Sequence, residues 1–404
     1  MALDSDILEA YYRTRKNKRR SEDSVLFEMH WERNLRGLRK DIESKNLKPS
    51  AYTFVRWEPR PREIFACNMG QRIAHHYIDI RLRPLIEAEL TDRTFNNRVG
   101  FGPDAATNAL ISDIYEVSRG FARDAWIIKW DIQGYFPNAR QDVVYKQLSL
   151  LVEAKYEGED KDILRYLILT SVFSYPTHHC TRKSPLWKWT LIPPDKSLFT
   201  KPDGVGGAIG HLIWQNAMNY YLNDLDHWLR DELHIHFGRF VDDSWAVVQN
   251  KEAFLTLMPE IRRRMAEYGC RLHPGKFYCQ HYTKGVEFLG THIKMDRVYL
   301  NNRIARRAAW AIQNYNKCVR VEKLDGFVAS VNSYLGFCKG RNAYGIARDL
   351  IDLVDPKWWE FCHFNKKRVC IEMNDGYTYR ERICKKYHLK HKKRNEKLRN
   401  PRVA

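Results

Sequence analysis

The sequence holds no run of apolar residues that approaches membrane-spanning length, so a transmembrane helix is not expected. Its first stretch, MALDSDILEAYYRTRKNKRR, lacks the apolar core of a secretory signal. Nine cysteines are scattered through the chain, odd in number and without a CxxC pair, which argues against both a disulfide framework and a zinc ribbon. No internal repeat stands out, and a solenoid is thereby set aside. Acidic charge is in deficit: 49 Asp+Glu stand against 68 Lys+Arg, giving a formal charge of +19 and a pI of about 9.5. These absences point to a cytoplasmic protein with no membrane partner. The charge favours a polyanionic partner, nucleic acid first, over a neutral metabolite, with a merely basic enzyme as the alternative.

What is present suits a globular protein. With 404 residues, 44% of them hydrophobic and 13% aromatic, the chain can form two or three packed units. Asp6 to Lys45 reads as helical, interrupted by a basic run from Arg13 to Arg20 that suits a phosphate backbone or a solvated face equally. AYTFVRWEPRPREIFA is extended up to its prolines, and QRIAHHYIDIRLRPLIEAEL is helical. In WIIKWDIQGYFPNARQDVVYKQL a buried strand, Trp126 to Ile132, leads into a helix with Asn138 as its expected N-cap, which places Asp131 at a strand end.

Tyr175 to Asp203 reads as a long inserted loop; His178, His179 and Cys180 within it lack the second ligand cluster that a metal site needs. In WQNAMNYYLNDLDHWLRDEL, Ala217, Tyr220, Tyr221 and Leu225 mark the core face of an amphipathic helix. GRFVDDSWAVV reads as strand, turn, strand. A single helix is expected from Lys251 to Tyr268, ended by Gly269, then a strand in GVEFLGTHI and three helical segments after Asn301. The tail from Lys385 carries nine Lys/Arg against one Glu and suits either a nucleic-acid clamp or a solvated end.

The chemistry rests on three carboxylates. Adjacent aspartates repel unless a cation lies beside them. An Asp-Asp pair alone also serves an ordinary β-turn. Asp131 at a strand end and Asp242 with Asp243 at a hairpin tip can meet at one sheet edge, where hard oxygen donors suit Mg²⁺. A pair of such ions activates a hydroxyl and stabilises a leaving pyrophosphate.

WDIQGYFP resembles the palm motif of reverse transcriptases that carries the first metal aspartate, and FVDD resembles their Tyr/Phe-x-Asp-Asp box. RPREIFACNMGQRIAHHYIDIRLRPLIE resembles the fingers segment of bacterial retroelement enzymes, and NNRVGFGPDAATNAL their next block. GVGGAIGHLIWQNAMNYYLNDLDHWL resembles the nucleotide-and-template helix, LHPGK the lysine loop, VEFLG the primer grip and SVNSYLGFCKGRNAY the thumb of the group II intron and diversity-generating retroelement branch. The likeness runs in order over about residues 10–350.

The resemblance implies an α+β right-hand polymerase: an N-terminal helical extension (1–48), fingers (49–120), a palm with an antiparallel sheet (121–299, with the 175–203 insertion), a helical thumb (300–380) and a basic tail (381–404). It assigns Asp131, Asp242 and Asp243, with the Ile132 carbonyl, to two Mg²⁺ ions, Mn²⁺ being a substitute. It assigns Arg62, and more weakly Arg60 and Arg72, to the incoming triphosphate, where guanidinium can bind bidentately. By the same resemblance Phe136 would be the ring that excludes a 2′-hydroxyl, with a plain core phenylalanine as the alternative, and Ile209, Gly210 and Gln215 the nucleotide motif. Lys276 would be the group that protonates or stabilises pyrophosphate, with a solvated lysine as the alternative. Phe288, Leu289 and Gly290 would form the primer grip.

In diversity-generating retroelements the nucleotide motif reads Ile-Gly-x-x-x-Ser-Gln; here Trp214 replaces the serine, a departure that brings divergent antiphage enzymes equally into view. The implied activity is RNA-directed DNA polymerisation, copying a noncoding RNA into cDNA from dNTPs in bacterial defence or diversification. A homo-oligomer or accessory protein is a further partner. A noncatalytic RNA-binding scaffold and a group II intron maturase are the alternatives.

Overall fold

A computed structural model of the chain describes residues 2–16, 22–48, 51–57, 60–295, 297–365 and 370–377. The expected basic tail and much of the Arg13–Arg20 run lie outside the described residues. Two compact units divide after His281. Helices and mostly antiparallel sheets alternate along both, so the α+β class holds.

The first unit begins with helices α1 (Ala2–Arg15), α2 (Glu22–Glu28) and α3 (Trp31–Glu43). Ile7, Ala10 and Tyr11 of α1 and Leu38 and Ile42 of α3 bury into the main core. Strands β1 (Ala51–Trp57) and β2 (Pro61–Cys67) form a hairpin in which Tyr52 faces Ala66 and Arg56 faces Arg62. The apolar alternation that reads as extended is therefore one hairpin. Asn68 then caps the N-terminus of α4 (Met69–Glu89) by accepting the Gln71 N–H. After β3 (Thr94–Phe95) and α5 (Pro103–Val117) comes β4 (Trp126–Asp131).

Helix α6 (Gln141–Lys155) starts later than expected: Arg140 is its N-cap, and the Asn138 amide instead donates to the Gln133 carbonyl across the intervening turns. Helix α7 (Lys161–Val172) follows. The 175–203 insertion is not featureless. It holds α8 (Pro176–His179), β5 (Thr181–Arg182) and α9 (Leu186–Trp189), and β5 pairs parallel to β1. His178 lies 3.0 Å from Asp203.

Next come α10 (Leu212–Tyr220), α11 (Asn223–His227), β6 (His236–Phe240), β7 (Asp243–Val248), α12 (Lys251–Leu255), α13 (Met258–Glu267) and β8 (Tyr278–His281). Pro259 sits in the first turn of α13, which is why the single helix expected from Lys251 divides in two. Gly269, at φ +68, ends α13 as expected.

The central sheet runs β3-β6-β7-β4-β8. Its pairings are antiparallel except β3 with β6, so the sheet expected to be antiparallel gains one short parallel edge. Side chains alternate across it. Ile128, Trp130, Phe237 and Ala246 face the main core. Trp245 points the other way and donates its indole N–H to the buried Asp113 of α5 at 2.8 Å.

In the second unit, β9 (Val286–Phe288), β10 (Thr291–Ile293) and β11 (Val298–Leu300) form an antiparallel sheet. The one strand expected in GVEFLGTHI is thus a hairpin turning at Leu289 and Gly290. Helices α14 (Asn302–Asn316), α15 (Leu324–Cys338) and α16 (Tyr344–Asp352) match the three expected segments. Phe327 stacks on Trp358 at 4.2 Å in their core. Strands β12 (Cys362–Phe364) and β13 (Ile371–Met373) pair beyond them. Among the described residues no helix is long and apolar enough to cross a membrane.

Gly238 faces Trp245 across β6 and β7, and a Cβ there would lie 2.1 Å from the indole. The ring is fully buried and cannot yield. Gly238→Ala is expected to lower the unfolding free energy by about 1–3 kcal/mol in urea titrations. Unchanged stability would contradict this packing.

Candidate active site

The β6–β7 hairpin has a two-residue tip, Val241 and Asp242, closed by the pair Phe240 and Asp243. Val241 takes φ +60, a left-handed conformation that a β-branched residue adopts only under constraint. Next to it, β4 pairs with β7 so that Asp131 stands directly opposite Asp243. Ile132 donates its N–H to the Asp242 carbonyl at 3.0 Å. The three aspartates predicted from sequence are thus brought to one sheet edge.

On the other side of β4, the Asp131 carbonyl accepts the His273 N–H at 2.8 Å and Gln133 donates to the Arg271 carbonyl at 2.8 Å. A turn between His273 and β8 carries Lys276, whose backbone N–H donates to the His273 carbonyl at 3.2 Å. Its ammonium ion-pairs with the Asp131 carboxylate. Lys276 is half-exposed whereas Asp131 is buried, so the lysine is the movable partner.

Burial pushes the Asp242 carboxyl up to about 6, and Asp243 and Asp131 add to it by repulsion while Lys276 opposes. Asp243 is raised by burial as well, with Lys129 opposing and Asp131 adding. Three hard carboxylate donors, two of them reluctant to ionise without more positive charge, fit a divalent cation of the Mg²⁺ type.

These groups open onto a cleft lined by Arg60, Arg62, Ile132, Phe136, Ile209 and Lys276 as well as Asp131 and Asp242. Arg72 does not line it; it lies on α4, bonded to the Tyr52 hydroxyl at 3.4 Å and 3.8 Å from Asp23. Gln215 is exposed on α10, outside the lining. Gly210, at φ +111, lets the loop before α10 press on β2: a Cβ there would lie 2.4 Å from the Phe65 carbonyl, and Phe65 donates to Ile209 at 2.8 Å. Trp214 is a buried core residue. Phe288, Leu289 and Gly290 belong to the second unit.

Sequence reasoning missed several cleft residues: Glu63, Ile192, Lys196 and His273. Glu63 is buried, accepts from the Ser197 hydroxyl and the Leu198 N–H, and so ties the insertion to β2. Burial raises its carboxyl too. The insertion thereby supplies Ile192 and Lys196 to the cleft.

Behind the hairpin, Arg239 is fully buried against Asp226 at 2.6 Å. It also donates to the carbonyls of Asn219 at 2.7 Å and Val241 at 3.2 Å. Thr94 donates to the same Asp226 at 2.8 Å. The guanidinium therefore anchors the strained tip to α10 and α11, and Asp226 in turn ties α11 to β3.

Residues 197–293 match the family described as reverse transcriptase (RNA-dependent DNA polymerase). That stretch carries α10, the Val241–Asp243 tip and Lys276, but not Asp131. The α+β architecture agrees with the right-hand polymerase class. Among solved structures the chain is similar to apo telomerase from Candida tropicalis (10% identity, TM-score 0.46, 75% of this chain and 55% of that one). It is also similar to telomerase from Candida albicans with the TWJ fragment of telomeric RNA (11% identity, TM-score 0.43, 81% of this chain and 60% of that one). The chain therefore spans little more than half of those proteins. No curated protein matches it.

Because the Asp242 value is raised, from 3.8 to about 6, the folded protein holds this proton more tightly than the unfolded chain does. Stability is then lost as pH rises through that window. Metal-free Asp242→Asn is expected to match the parent at low pH and to exceed it above pH 6 by up to ~3 kcal/mol. Urea denaturation across pH checks this, and a difference independent of pH would contradict it.

Proposed function

We propose that the chain is an RNA-directed DNA polymerase that joins deoxynucleotides at the cleft edged by Asp131, Asp242 and Asp243. The observation that carries the reading is the register placing Asp131 opposite Asp243 beside the Asp242 tip. Two bound Mg²⁺ ions, or Mn²⁺ in their place, would supply Lewis acidity toward a 3′-hydroxyl and the triphosphate. The three aspartates and the Ile132 carbonyl would hold them.

The chain's own residues do the rest. Arg60, Arg62 and Lys196 present positive charge on the cleft wall, where phosphate oxygens are bound. Arg72, Gly210 and Gln215 act around that wall rather than on it. Phe136 stands beside the cleft floor, where its ring excludes a 2′-hydroxyl. Lys276, ion-paired with Asp131 in this structure, would present its ammonium to the departing pyrophosphate. Phe288, Leu289 and Gly290 hold the primer strand.

Full-length protein with an RNA template, a primer, dNTPs and Mg²⁺ is expected to extend the primer. Asp131→Asn and Asp242→Asn are each expected to reduce extension by at least ~10²-fold, as loss of a ligand for transition-state charge does. Equal extension by parent and variants would leave a noncatalytic RNA-binding scaffold.

The template is proposed to be a dedicated noncoding RNA, used in bacterial antiphage defence or in diversification. Ile209 on the cleft wall supports kinship with the diversifying branch, whereas the buried Trp214 supports a divergent defence enzyme. Sequencing the nucleic acid that co-purifies is expected to show one structured RNA. Repetitive or non-genomic cDNA indicates defence, adenine-mutagenised copies of a gene segment indicate diversification, and the absence of any enriched RNA contradicts both.

A further inference from the structure

Cys67, His75 and His211 meet in the core of the first unit, with their donor atoms all within 4.8 Å of one another. Each comes from a different element: Cys67 ends β2, His75 lies in the second turn of α4, and His211 immediately precedes α10. Their exposures are 1%, 2% and 0%. The Cys67 sulfur lies 3.9 Å from His75 Nδ1, and the two imidazoles are tilted with centroids 5.1 Å apart.

The hydrogen bonding of this cluster is incomplete. His75 Nε2 and both ring nitrogens of His211 are buried without a partner. His211 occupies the cap position of α10, yet its side chain makes no capping bond. A buried polar atom without a partner costs about 1–3 kcal/mol, so His211, unpartnered at both ring nitrogens, calls for an explanation, and a metal bond would relieve one of the two. Burial also pulls both imidazoles down from the ordinary histidine range.

We propose that Cys67, His75 and His211 form a buried zinc site. A thiolate with two neutral imidazoles is a donor set suited to Zn²⁺, and tetrahedral bonds to sulfur and nitrogen place such atoms roughly 3.5 Å apart. The 3.9 Å between Cys67 Sγ and His75 Nδ1, and the spread of up to 4.8 Å across the three donors, close toward that distance when the metal binds. Three protein donors leave the fourth corner for a water. Cys67 binds as thiolate, so zinc binding releases its proton.

The position gives the site its purpose. Phe65, two residues before Cys67, is hydrogen-bonded to Ile209, two residues before His211. Ile209 and, on β2, Arg62 and Glu63 line the cleft. Zinc would rivet β2, α4 and the loop before α10 together directly behind that wall. The inference does not depend on the polymerase reading, because the site touches none of the three aspartates' chemistry.

The test is elemental analysis of full-length protein purified without chelators or immobilised metal. About one zinc per chain is expected, and a near-complete loss in Cys67→Ser and in His211→Gln. Chelation should lower the melting temperature, with zinc and not Mg²⁺ restoring it. Cobalt added to chelated parent protein should give four-coordinate visible bands and a thiolate charge-transfer band, the latter missing in Cys67→Ser. The parent spectrum decides the matter even if a variant fails to fold. Parent protein that carries no zinc and takes up neither metal overturns the proposal, as do variants that retain parental zinc or stoichiometric copper or iron in its place.

Discussion

The structure depends on one register. Because β4 and β7 pair with Asp131 opposite Asp243, every side chain on both strands is committed to a face, and a slip of one residue would turn the aspartates into the core. The same register sets Ile128, Trp130 and Ala246 into the apolar interior, and the β6–β7 register lays Trp245 over Gly238. Apolar burial on both sides of the sheet thus holds like charges at its edge, where repulsion and desolvation would otherwise drive them apart.

The edge is stiffened from behind. Arg239 satisfies Asp226 and the carbonyls of Asn219 and Val241 in a setting without solvent, where an unpaired charge would cost several kcal/mol. The left-handed Val241 is tolerated because its carbonyl is held. In front, Lys276 is the one mobile countercharge described at Asp131, and its half-exposed chain lets it trade that carboxylate for another partner. A rigid acidic edge facing a movable cation is an arrangement that can accept divalent metal without refolding.

The aspartates were legible in the sequence because local signals place them: an apolar run ending at Asp131, and two apolar runs flanking Asp242 and Asp243. Helices with clear periodicity were legible too. The start of α6 was not, because Asn138 spends its amide on Gln133 rather than on a helix terminus. The break at Pro259 was not legible either, because a proline in the first turn of α13 leaves the helical periodicity intact on both sides. Lys196 was not, since only the folding of the insertion onto β2 brings it to the cleft, and Glu63 was not, since its tie to Ser197 is made across that fold. Cys67, His75 and His211 escaped for the same reason: no CxxC or HxxxH spacing marks ligands that three separate elements bring together.

The central claim is that the carboxylate edge binds divalent metal through these three side chains. Mn²⁺ binding to full-length protein, followed by electron paramagnetic resonance with a dNTP present, tests it most directly. Binding by the parent that is abolished in Asp131→Asn and Asp242→Asn is the predicted result. Mn²⁺ binding of equal strength in all three proteins would contradict it.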